Sequence, residues 1–574
     1  MLVCGAVPAL LLVIGPLYAA RARGKPRGRQ RVGVRLAPVL CLCLWWWVCG
    51  WFVGCIFWGG VVVEFWGVVV RGVGVVRGEV VVVGGGPVGL LLAGELAGLG
   101  VGVVVVESRG GVSVRPKATT LHARAVQVLA RRGFLPGGGF PFTGGPGRSV
   151  FHFAGLGGLV VRAPAREPVP VVKCVQAELE GYFEARAVAA GVRVLRGCRV
   201  TGVSQDGGGV RVSAVGPDGG VVCTGLYAVG ADGSRGMVRE WAGIASDTFP
   251  ASVSALMGTV TLARPGELGG GWHRTPRGWI VAKHGAGGCV HVRTLNCAGA
   301  HPGWRVAPSL EELRAEVSWI AGRDVAMGDA RWLSRFSDFA RVAGTFRAGR
   351  VFLAGDAAHV HFPIGGQGLS TGVLDALNLG WKLALAVRGR AAPGLLDTYD
   401  AERRPAAARV VEQTRAQLAL MRPGGELDAL RTVFTGVLSA DRGYLGAMVS
   451  GQDTVLPGHG EGAGEFLGNM VLSTPDGETD VMALLREGRP LLLLFGEEGG
   501  VYEEEARRWR GTVRVVRAGP GREGEHCALL VRPDGYTAWV PGGRGLAEVL
   551  GAYFLEDRAV GGPAGEGGFP AGCP

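Results

Sequence analysis

The chain has 574 residues, among them 102 glycines, and a formal charge of +12 at pH 7, so it is long enough for two to four domains with sizeable cores. Residues 1–77 hold nine of the 60 basic residues and one of the 48 acidic residues, which leaves 51 basic against 47 acidic in the rest. That balance excludes a general binder of nucleic acid or other polyanions. The 12 cysteines form no C-x-x-C pair, which argues against zinc or disulfide frameworks and favours reduced thiols in the cytoplasm.

The first 77 residues contain two uncharged stretches, 1–20 and 36–63, on either side of a basic segment, 21–35. Taken literally, this order predicts a two-span membrane hairpin with its basic loop in the cytoplasm, and it does not fit a signal peptide. The abundance of Val, Gly, Arg, Trp and Cys equally indicates upstream sequence translated from a start placed too early. We leave this extension, artefact or membrane segment, out of the fold reasoning, and a membrane is a partner only if the extension is genuine.

The next segment reads as strand, glycine turn, helix and second strand. The apolar strand Val80–Val83 is followed by Gly84, Gly86 and Gly89 in the spacing G-x-G-x-x-G, and the second strand ends at Glu107. The first glycine allows a tight turn, the second lets the backbone approach a pyrophosphate, and the third allows close helix packing. The acidic residue is placed to meet a ribose hydroxyl. This unit predicts a dinucleotide site, without choosing between FAD and NAD.

Apolar periodicity predicts the elements that follow. Residues 121–130 and 175–191 predict amphipathic helices. Residues 246–335 alternate apolar with polar side chains, which predicts an antiparallel sheet with one covered face. Three further runs predict a β-meander that returns to the nucleotide domain: 192–197, 209–216 and 226–232.

A later apolar strand ends in Gly355-Asp356, and a helix is predicted from Leu369 to Arg388, with Ser370 near its start. The free N–H groups and positive dipole end of this helix can stabilise negative charge on a group placed before them. His359 and His361 have no carboxylate or thiol at a useful ligand spacing, so no metal is expected.

Residues 422–463 are rich in glycine and have a proline near each end, which predicts a linker. Residues 464–556 then predict a separate α/β unit. Cys527 has no partner thiol in this unit, so a redox role is not expected.

Several of these segments match longer patterns. Arg115–Arg124 matches P-[RK]-A-x-x-L-H-x-R, and residues 175–191 resemble Q-x-x-x-E-x-x-L-x-x-x-A, with Gln176 and Glu180 on the matching positions. Residues 232–239 match D-G-x-x-S-x-V-R, except that Gly236 stands in the place of serine. The densest match is residues 355–383 to G-D-A-A-H-x-x-x-P-x-x-G-Q-G-x-N-x-G-x-x-D-A-x-N-L-x-W-K-L, in which serine replaces the usual asparagine at position 370.

With these motifs the chain resembles the FAD-dependent aromatic hydroxylases of the para-hydroxybenzoate hydroxylase type, class A flavoprotein monooxygenases, and especially their aromatic-polyketide branch. The resemblance implies an α/β fold in which a Rossmann-like FAD-binding domain is interleaved with a mixed or antiparallel β-sheet substrate domain and followed by a C-terminal thioredoxin-like α/β domain. The implied boundaries are an N-terminal extension at 1–77, the FAD-binding domain at 78–245 and 336–421, the substrate sheet at 246–335, a linker at 422–463, the thioredoxin-like domain at 464–556 and a disordered tail at 557–574.

The resemblance also implies the site. Asp356 would bond the ribityl chain, which FAD has and NAD lacks, and Gly236 puts the contacts to the hydride donor in doubt. His273 and Arg274, expected on a turn between strands, are candidate substrate residues. The residues expected to bind the cofactor are Gly84, Gly86, Pro87, Val88, Gly89, Glu107, Ser108, Arg124, Gln176, Asp232, Gly355, Asp356, Pro363, Gly366, Gln367, Gly368, Leu369 and Ser370.

The implied reaction is hydroxylation of an aromatic, polyketide or phenolic substrate with NADPH or NADH and O2, through a C4a-hydroperoxyflavin. That scheme needs no protein nucleophile or acid–base pair, so catalytic residues stay unassigned. No second G-x-G-x-x-G domain exists for the nicotinamide nucleotide, which is expected to bind transiently. The alternatives are a membrane-associated flavin epoxidase-like oxygenase and a non-catalytic FAD-binding protein, and epoxidation or ring-expanding oxygen insertion remain open outcomes. A homodimer through the C-terminal domain is a further expectation.

Overall fold

The computed structural model divides into two compact units, residues 1–72 and 73–574. In the first unit, the backbone of Val53–Trp58 pairs antiparallel with that of Val61–Trp66. Of the predicted extension 1–77, membrane segment or artefact, residues 74–77 are described and belong to the second unit, and the remaining residues lie outside the described part. Within the described part of the chain, no helix is both long and apolar enough to cross a membrane. The predicted disordered tail lies outside the described residues after position 557. Described in full are residues 74–113, 118–135, 147–303, 306–519 and 526–557.

A six-stranded sheet lies at the centre of the second unit. Its strands are, in spatial order, Arg193–Arg196, Val103–Glu107, Val80–Val83, Tyr227–Gly230, Val351–Leu353 and Arg347–Ala348. The first five are parallel, and the last is an antiparallel edge. Every residue of Val80–Val83 and of Val103–Glu107 is buried, as expected of continuous apolar strands in a sheet covered on both faces. The carboxyl ends of the parallel strands therefore meet at one edge.

Helices cover this sheet. The glycine-motif helix, Pro87–Gly98, packs against the signature helix, Gly368–Val387, and against Gln176–Ala189. The approach is close because a Cβ added at Gly380 would lie 2.6 Å from Cγ of Glu95. The other described α-helices are Ala123–Arg131, Val238–Trp241, Leu310–Ala321, the long helix Asp397–Met421, Gly425–Ala440, Tyr444–Ser450, Val481–Leu485, Val501–Glu505 and Leu546–Tyr553.

The substrate sheet has the antiparallel pairing that alternation predicted. Its five strands are, in spatial order, Gly271–Thr275, Gly278–His284, Cys289–Asn296, Ser254–Leu262 and Met327–Ser337. Helix Leu310–Ala321 packs on one face, where Leu313, Val317 and Ile320 are buried. A separate three-stranded sheet is formed by Ser246–Phe249, Ala340–Ala343 and His359–Val360. The strands Thr120–His122 and Val171–Lys173 form a further pair.

The meander differs from its prediction. Of the three predicted runs, only the middle one lies in an antiparallel sheet, whose strands are Arg199–Gln205, Val210–Gly216, Gly219–Gly225 and, in parallel, Gly74–Arg77. The first and third runs belong to the central parallel sheet. The reason is that short apolar runs suit either kind of sheet, so their partners cannot be chosen from periodicity alone.

The segment 422–463, predicted as a linker, contains two helices, Gly425–Ala440 and Tyr444–Ser450. Both pack against the hairpin formed by Gly147–Phe153 and Leu156–Ala163. Its glycines mark the turns that begin and end these helices. Residues 464–556, called here the C-terminal unit, have a four-stranded sheet in the order Arg514–Ala518, Leu491–Phe495, Ala528–Val531 and Thr537–Trp539. They also have a hairpin of Val471–Thr474 and Gly477–Asp480.

Candidate functional site

The three glycines of the turn differ in the space around their α-carbons: two are tightly packed and one faces open space. Gly84 has a φ of +111°, and a Cβ there would lie 2.3 Å from the carbonyl oxygen of Ala231. At Gly89 a Cβ would lie 2.0 Å from the carbonyl oxygen of Gly84. At Gly86, by contrast, a Cβ would meet no described atom within 4 Å. The backbone is therefore accessible at the middle glycine only.

The glycine-motif helix presents an uncapped N-terminus at this opening. Gly86 is its N-cap and Pro87 lies in its first turn, with no side-chain cap and no acidic residue in that turn. The first N–H groups of a helix have no intrahelical acceptor, and the helix dipole adds partial positive charge there. The side chain of Val88 lies where a Cβ at Gly355 or Gly372 would approach it, at 3.1 Å and 2.6 Å. The start of this helix thus contacts the Gly-Asp turn and the signature helix.

Glu107 ends the neighbouring strand as a buried carboxylate. Its Oε2 accepts a hydrogen bond from the Gly85 N–H at 2.7 Å, and its Oε1 accepts from the backbone N–H and Nε of Arg109 at 2.7 and 3.0 Å. The exposed Ser108 donates its hydroxyl at 3.3 Å. Burial raises the pKa of Glu107, but the hydrogen bonds from Arg109 and Gly85 outweigh it and hold that pKa below its ordinary value. Arg109 was not predicted; its position two residues beyond the acid is the only sequence signal.

Asp232 lies beside the same turn with one oxygen unused. Its Oδ2 accepts from the Val238 N–H at 3.0 Å, while its buried Oδ1 has no hydrogen-bond partner among the described residues. Burial raises the pKa of this carboxyl group. A Cβ at Gly236 would lie 2.0 Å from Oδ1, so this orientation of Asp232 requires the glycine that replaces the family's serine.

The Gly355-Asp356 turn is held by a hydrogen bond to the buried carboxylate of Asp375, which has two further buried partners. The Gly355 N–H donates to Oδ2 of Asp375 at 3.0 Å, and the same carboxylate binds His359 Nε2 at 2.7 Å and Arg403 Nε at 2.9 Å. Burial raises the pKa of Asp375, but His359 and Arg403 outweigh it and lower the pKa below its ordinary value. Asp356 itself is exposed on the turn. Among the described residues no group of three His, Cys, Asp or Glu side chains could hold a metal ion.

The turn before the signature helix, residues 363–370, has a buried hydrogen-bonded support. Ser370 Oγ accepts from the His122 N–H at 3.0 Å, and His122 Nε2 bonds the carbonyl oxygen of Gly365 at 2.7 Å. Burial lowers the pKa of His122 to about 4, so its ring is neutral at pH 7 and the N–H donates. His122 was not predicted to support this turn, although it lies in the motif Arg115–Arg124.

The same turn leaves polar groups unused. Gly365 and Gly366 have φ values of +73° and +67°, and the helix that follows begins at Gly368 without a side-chain cap. Both amide atoms of buried Gln367 lack a hydrogen-bond partner within the described part of the chain. Pro363 is exposed and Leu369 is buried. The turn therefore offers donors and an acceptor to a group outside the protein.

The structure gives Arg124 and Gln176 other contacts. The guanidinium of Arg124 lies 3.8 Å from the ring centroid of Phe466 in the C-terminal unit and donates to Gln127 Oε1 and the Gln452 carbonyl oxygen, both at 2.8 Å. Gln176 Oε1 accepts from the Ala118 N–H at 3.2 Å. Their contacts with a cofactor stay predictions.

His273 and Arg274 were expected on a turn, but they lie within the strand Gly271–Thr275. His273 Nε2 bonds the Gly269 carbonyl oxygen at 2.6 Å, and Arg274 pairs with Asp428 of the neighbouring helix. The expectation erred because G-W-H-R-T pairs with the strand after the turn, which leaves only Pro276 and Arg277 between the two strands. The structure does not bring these side chains into contact with the 363–370 turn.

An aromatic cluster that the sequence did not predict reaches that turn instead. It consists of Phe151, His152, Trp272 and Trp279, with ring centroids 4.6, 4.7 and 5.9 Å apart along the series. Phe151 also meets the His122 ring edge-on at 5.1 Å. Burial lowers the pKa of His152 to about 4, and its buried Nδ1 has no partner among the described residues.

Together these features fit a large cofactor with a phosphate group and a polar ring. The open turn at Gly86 and the helix N-terminus fit an anionic phosphate. The buried atoms of Asp232 and Gln367 that lack a partner among the described residues fit the polar groups of a ligand. A carboxylate at Glu107 and another at Asp356 fit hydroxyl groups between phosphate and ring.

The chain is similar to known proteins over most of its length. The FAD binding domain family matches residues 77–414, and the family described as aromatic-ring hydroxylase, C-terminal, matches residues 461–555. The chain is 35% identical to a 12-dehydrotetracycline 5-monooxygenase/anhydrotetracycline 6-monooxygenase of Streptomyces rimosus subsp. rimosus, over 83% of this chain and 99% of that protein. It is 38% identical to a dialkyldecalin synthase of Streptomyces rugosporus, over 83% and 98%. The solved structure of OxyS anhydrotetracycline hydroxylase from Streptomyces rimosus matches with a TM-score of 0.75 at 34% identity, over 83% and 99%.

Proposed function

The chain belongs to the FAD-dependent aromatic-ring hydroxylases, and from this membership we propose that it oxygenates a polycyclic phenolic or quinone-like polyketide. It is an FAD-dependent aromatic monooxygenase, with NADPH or NADH as the hydride donor and O2 as the co-substrate. The relative from Streptomyces rimosus acts, by its name, on anhydrotetracycline. A fused aromatic ring system of that kind is the substrate class we propose here.

One observation carries the proposal: two uncapped helix N-termini and the exposed Asp356 meet at one edge of the sheet. We assign the FAD diphosphate to the Gly86 turn and the helix N-terminus that follows it, because among the three motif glycines only at Gly86 would an added Cβ meet no described atom within 4 Å. We assign the ribose to Glu107 and the ribityl chain to Asp356. The polar edge of the flavin ring is assigned to the turn at 363–370, where Gln367 has unused hydrogen-bonding atoms.

When bound, FAD supplies hydride acceptance and oxygen activation. The residues of this chain have three tasks beside it. The N–H groups at the start of the signature helix stabilise negative charge on the ring edge before them. His122, held neutral by burial, fixes the Gly365 carbonyl and so the shape of the turn. The aromatic cluster keeps water from the reacting atoms. None of these tasks requires a protein acid, base or nucleophile.

The substrate is proposed to bind along the aromatic cluster, because that cluster touches the support of the ring turn through Phe151 and His122. Stacked rings favour a flat aromatic ligand. The unpaired Nδ1 of His152 is suited to a phenolic hydroxyl of such a ligand. His273 and Arg274, which follow Trp272 in the strand Gly271–Thr275, remain candidate substrate residues outside the aromatic cluster. The nicotinamide nucleotide is proposed to bind transiently across the flavin cleft.

The test is to purify the protein, record its flavin absorbance, and follow NADPH oxidation with and without a panel of polycyclic phenols. We expect bound FAD and oxidation that at least one aromatic compound stimulates. Absence of FAD would refute the proposal. Bound FAD without any aromatic stimulation would instead favour a non-oxidative role, such as the one that the name of the dialkyldecalin synthase indicates for that relative.

Two further expectations accompany this function. A homodimer is proposed, and a cytoplasmic location is proposed from the scattered cysteines, which form no C-x-x-C pair. Light scattering on the purified protein measures the first, and fractionation of the producing cells measures the second.

A further inference from the structure

Three buried residues of the signature helix and the long helix, Asn378, Lys382 and Glu402, have no hydrogen bond to the glycine turn, Glu107 or the Gly355-Asp356 turn that would explain them. Asn378 and Lys382 lie one and two turns beyond Asp375 on the same side of the signature helix, and all three are buried. On the long helix, Glu402 and Arg403 are also buried. Burying charged groups is costly unless each has partners, so these side chains need an account.

Their partners come from the C-terminal unit. Arg532 Nη1 and Nη2 donate to the two oxygens of Glu402 at 2.8 and 2.7 Å, and Arg532 also pairs with Asp534 at 2.7 Å. Asn378 Nδ2 donates to Asp534 at 3.1 Å and to Glu402 at 2.7 Å. Lys382 Nζ donates to Glu402 at 2.8 Å. Two side chains of the C-terminal unit are thus bound to both helices.

The same two helices hold the Gly355-Asp356 turn. Arg403 follows Glu402 directly and donates to Asp375 at 2.9 Å, and Asp375 lies one helical turn before Asn378. Asp375 in turn accepts the Gly355 N–H at 3.0 Å. An unbroken series of hydrogen bonds and helix turns therefore leads from Arg532 to the residue before Asp356.

The charges of this series balance, at three carboxylates and three cations, when Arg532 is in place. The carboxylates are Glu402, Asp375 and Asp534, and the cations are Lys382, Arg403 and Arg532. Burial raises the pKa of Glu402, but Arg532 and Lys382 outweigh it and lower that pKa to about 2. Without Arg532, the three carboxylates would share two cations, Lys382 and Arg403, in a buried site, and the two helices would have to shift to admit water.

We propose that Arg532 and Asp534 are positioning residues for FAD: by fixing Glu402 and Asn378 they set the two helices that hold the Gly355-Asp356 turn. The C-terminal unit thereby contributes to FAD binding without contacting FAD through these two residues. The proposal rests on the function proposed above, since it takes Asp356 as a contact of the bound flavin nucleotide.

The experiment compares two arginines with similar anchoring roles. Arg131 is as buried as Arg532 and also joins the C-terminal unit to the rest, through the Leu467 carbonyl oxygen at 2.8 Å. Its partner Glu167, at 2.6 Å, accepts from the Asn469 N–H of that unit at 2.8 Å. It has no contact with the series that leads to Gly355. Arg532→Met and Arg131→Met therefore remove similar anchors, of which only one belongs to the proposed series.

FAD dissociation constants are measured on the full chain, stripped of flavin and refilled, by quenching of flavin fluorescence, with the folded fraction taken from circular dichroism. We expect Arg532→Met to weaken FAD binding on the order of tenfold and to shift the flavin reduction potential. Arg532→Lys, which keeps the charge but not the paired contact, should fall between it and the wild type. Arg131→Met should lower the melting temperature and leave the FAD constant within about twofold.

If Arg532→Met does not fold, the double variant Glu402→Gln/Arg532→Gln removes both buried charges, and the same loss of FAD affinity is expected of it. Unchanged FAD binding in the Arg532 variants, or equal weakening in Arg131→Met, would overturn the proposal. A wild-type protein that binds no FAD would overturn the proposed function, which separates the two failures.

Discussion

The nucleotide edge and the aromatic cluster are built in different ways. The nucleotide edge, formed by the glycine turn, Glu107 and the Gly355-Asp356 turn, depends on backbone atoms and on glycines whose spacing is visible in the sequence. The aromatic cluster is assembled from side chains of a hairpin and a sheet that are far apart in the chain. The first region should therefore respond to a single added methyl group, and the second should tolerate change in shape while losing selectivity.

The largest effect is expected for Gly89→Ala. The new Cβ would lie 2.0 Å from the Gly84 carbonyl oxygen, so the helix or the turn must move. We expect a loss of stability of about 3 kcal/mol, because overpacking and backbone strain add, and no measurable FAD binding. Unfolding in urea and flavin content after purification measure both. A stable, flavin-loaded variant would contradict the account of this turn.

Lowering the pH should destabilise the contacts of His122, which joins the 363–370 turn to the aromatic cluster. The pKa of His122 is lowered from 6.5 to about 4 by burial, so below pH 6.5 the unfolded chain takes up a proton that the folded chain does not. Its contribution is complete above pH 6.5 and is lost as the pH falls toward 4, by about 2–3 kcal/mol. Unfolding in urea at pH 7, 5.5 and 4.5 should show a weaker pH dependence in His122→Gln than in the wild type. Parallel pH profiles would refute this role.

Gly86→Ala separates ligand binding from folding at the nucleotide edge. Its Cβ would meet no described atom within 4 Å, so the free energy of unfolding should change by less than about 0.5 kcal/mol. The methyl group would occupy space assigned to the diphosphate, and we expect FAD to bind about tenfold more weakly. Fluorescence titration gives the constant, with Gly89→Ala as the contrasting variant. A large loss of stability would show that this glycine serves the fold alone.

His152→Phe tests the aromatic cluster. Phenylalanine keeps the stacking with Phe151 and the contact with Trp272 but removes the unpaired Nδ1. We expect FAD affinity to stay unchanged and the KM for a hydroxylated aromatic substrate to rise about fivefold to tenfold, the value of one neutral hydrogen bond. A matched substrate without the hydroxyl group should show no such rise. A change in FAD affinity instead would mean that the two regions are not separable.

The smallest effect is expected for Arg274→Ala. Arg274 is 36% exposed and its partner Asp428 is 50% exposed, so their ion pair contributes less than about 1 kcal/mol to stability. Steady-state kinetics should give a KM within about threefold of the wild type, because the side chain lies outside the aromatic cluster. A larger rise in KM would restore Arg274 as a direct substrate contact.

The sequence predicted the strand and helix at the nucleotide edge well because the relevant signals are local. The strand Val80–Val83 has the predicted bounds, and the signature helix begins one residue before the predicted Leu369. The α/β fold class and the family are confirmed. Glycine spacing encodes a backbone shape, and that shape requires only neighbours in the chain.

Contacts between distant segments could not be predicted in the same way. Arg124 matches a motif, yet its guanidinium packs on Phe466, more than 300 residues further along the chain. The helices within 422–463 were hidden by the glycines at their ends. Arg532 carries no local pattern at all, although it binds Glu402 with two hydrogen bonds. Such pairings depend on tertiary packing, which periodicity and motif spacing do not encode.

The central claim is that this chain transfers one oxygen atom from O2 to an aromatic ring by means of FAD. The most direct measurement supplies the flavin-loaded protein with NADPH, a polycyclic phenol that stimulates NADPH oxidation, and ¹⁸O2, and follows the product by mass spectrometry. The account predicts a product with one ¹⁸O atom for each NADPH consumed. Unlabelled aromatic compound, with all consumed oxygen recovered as hydrogen peroxide for every stimulating phenol, would contradict it.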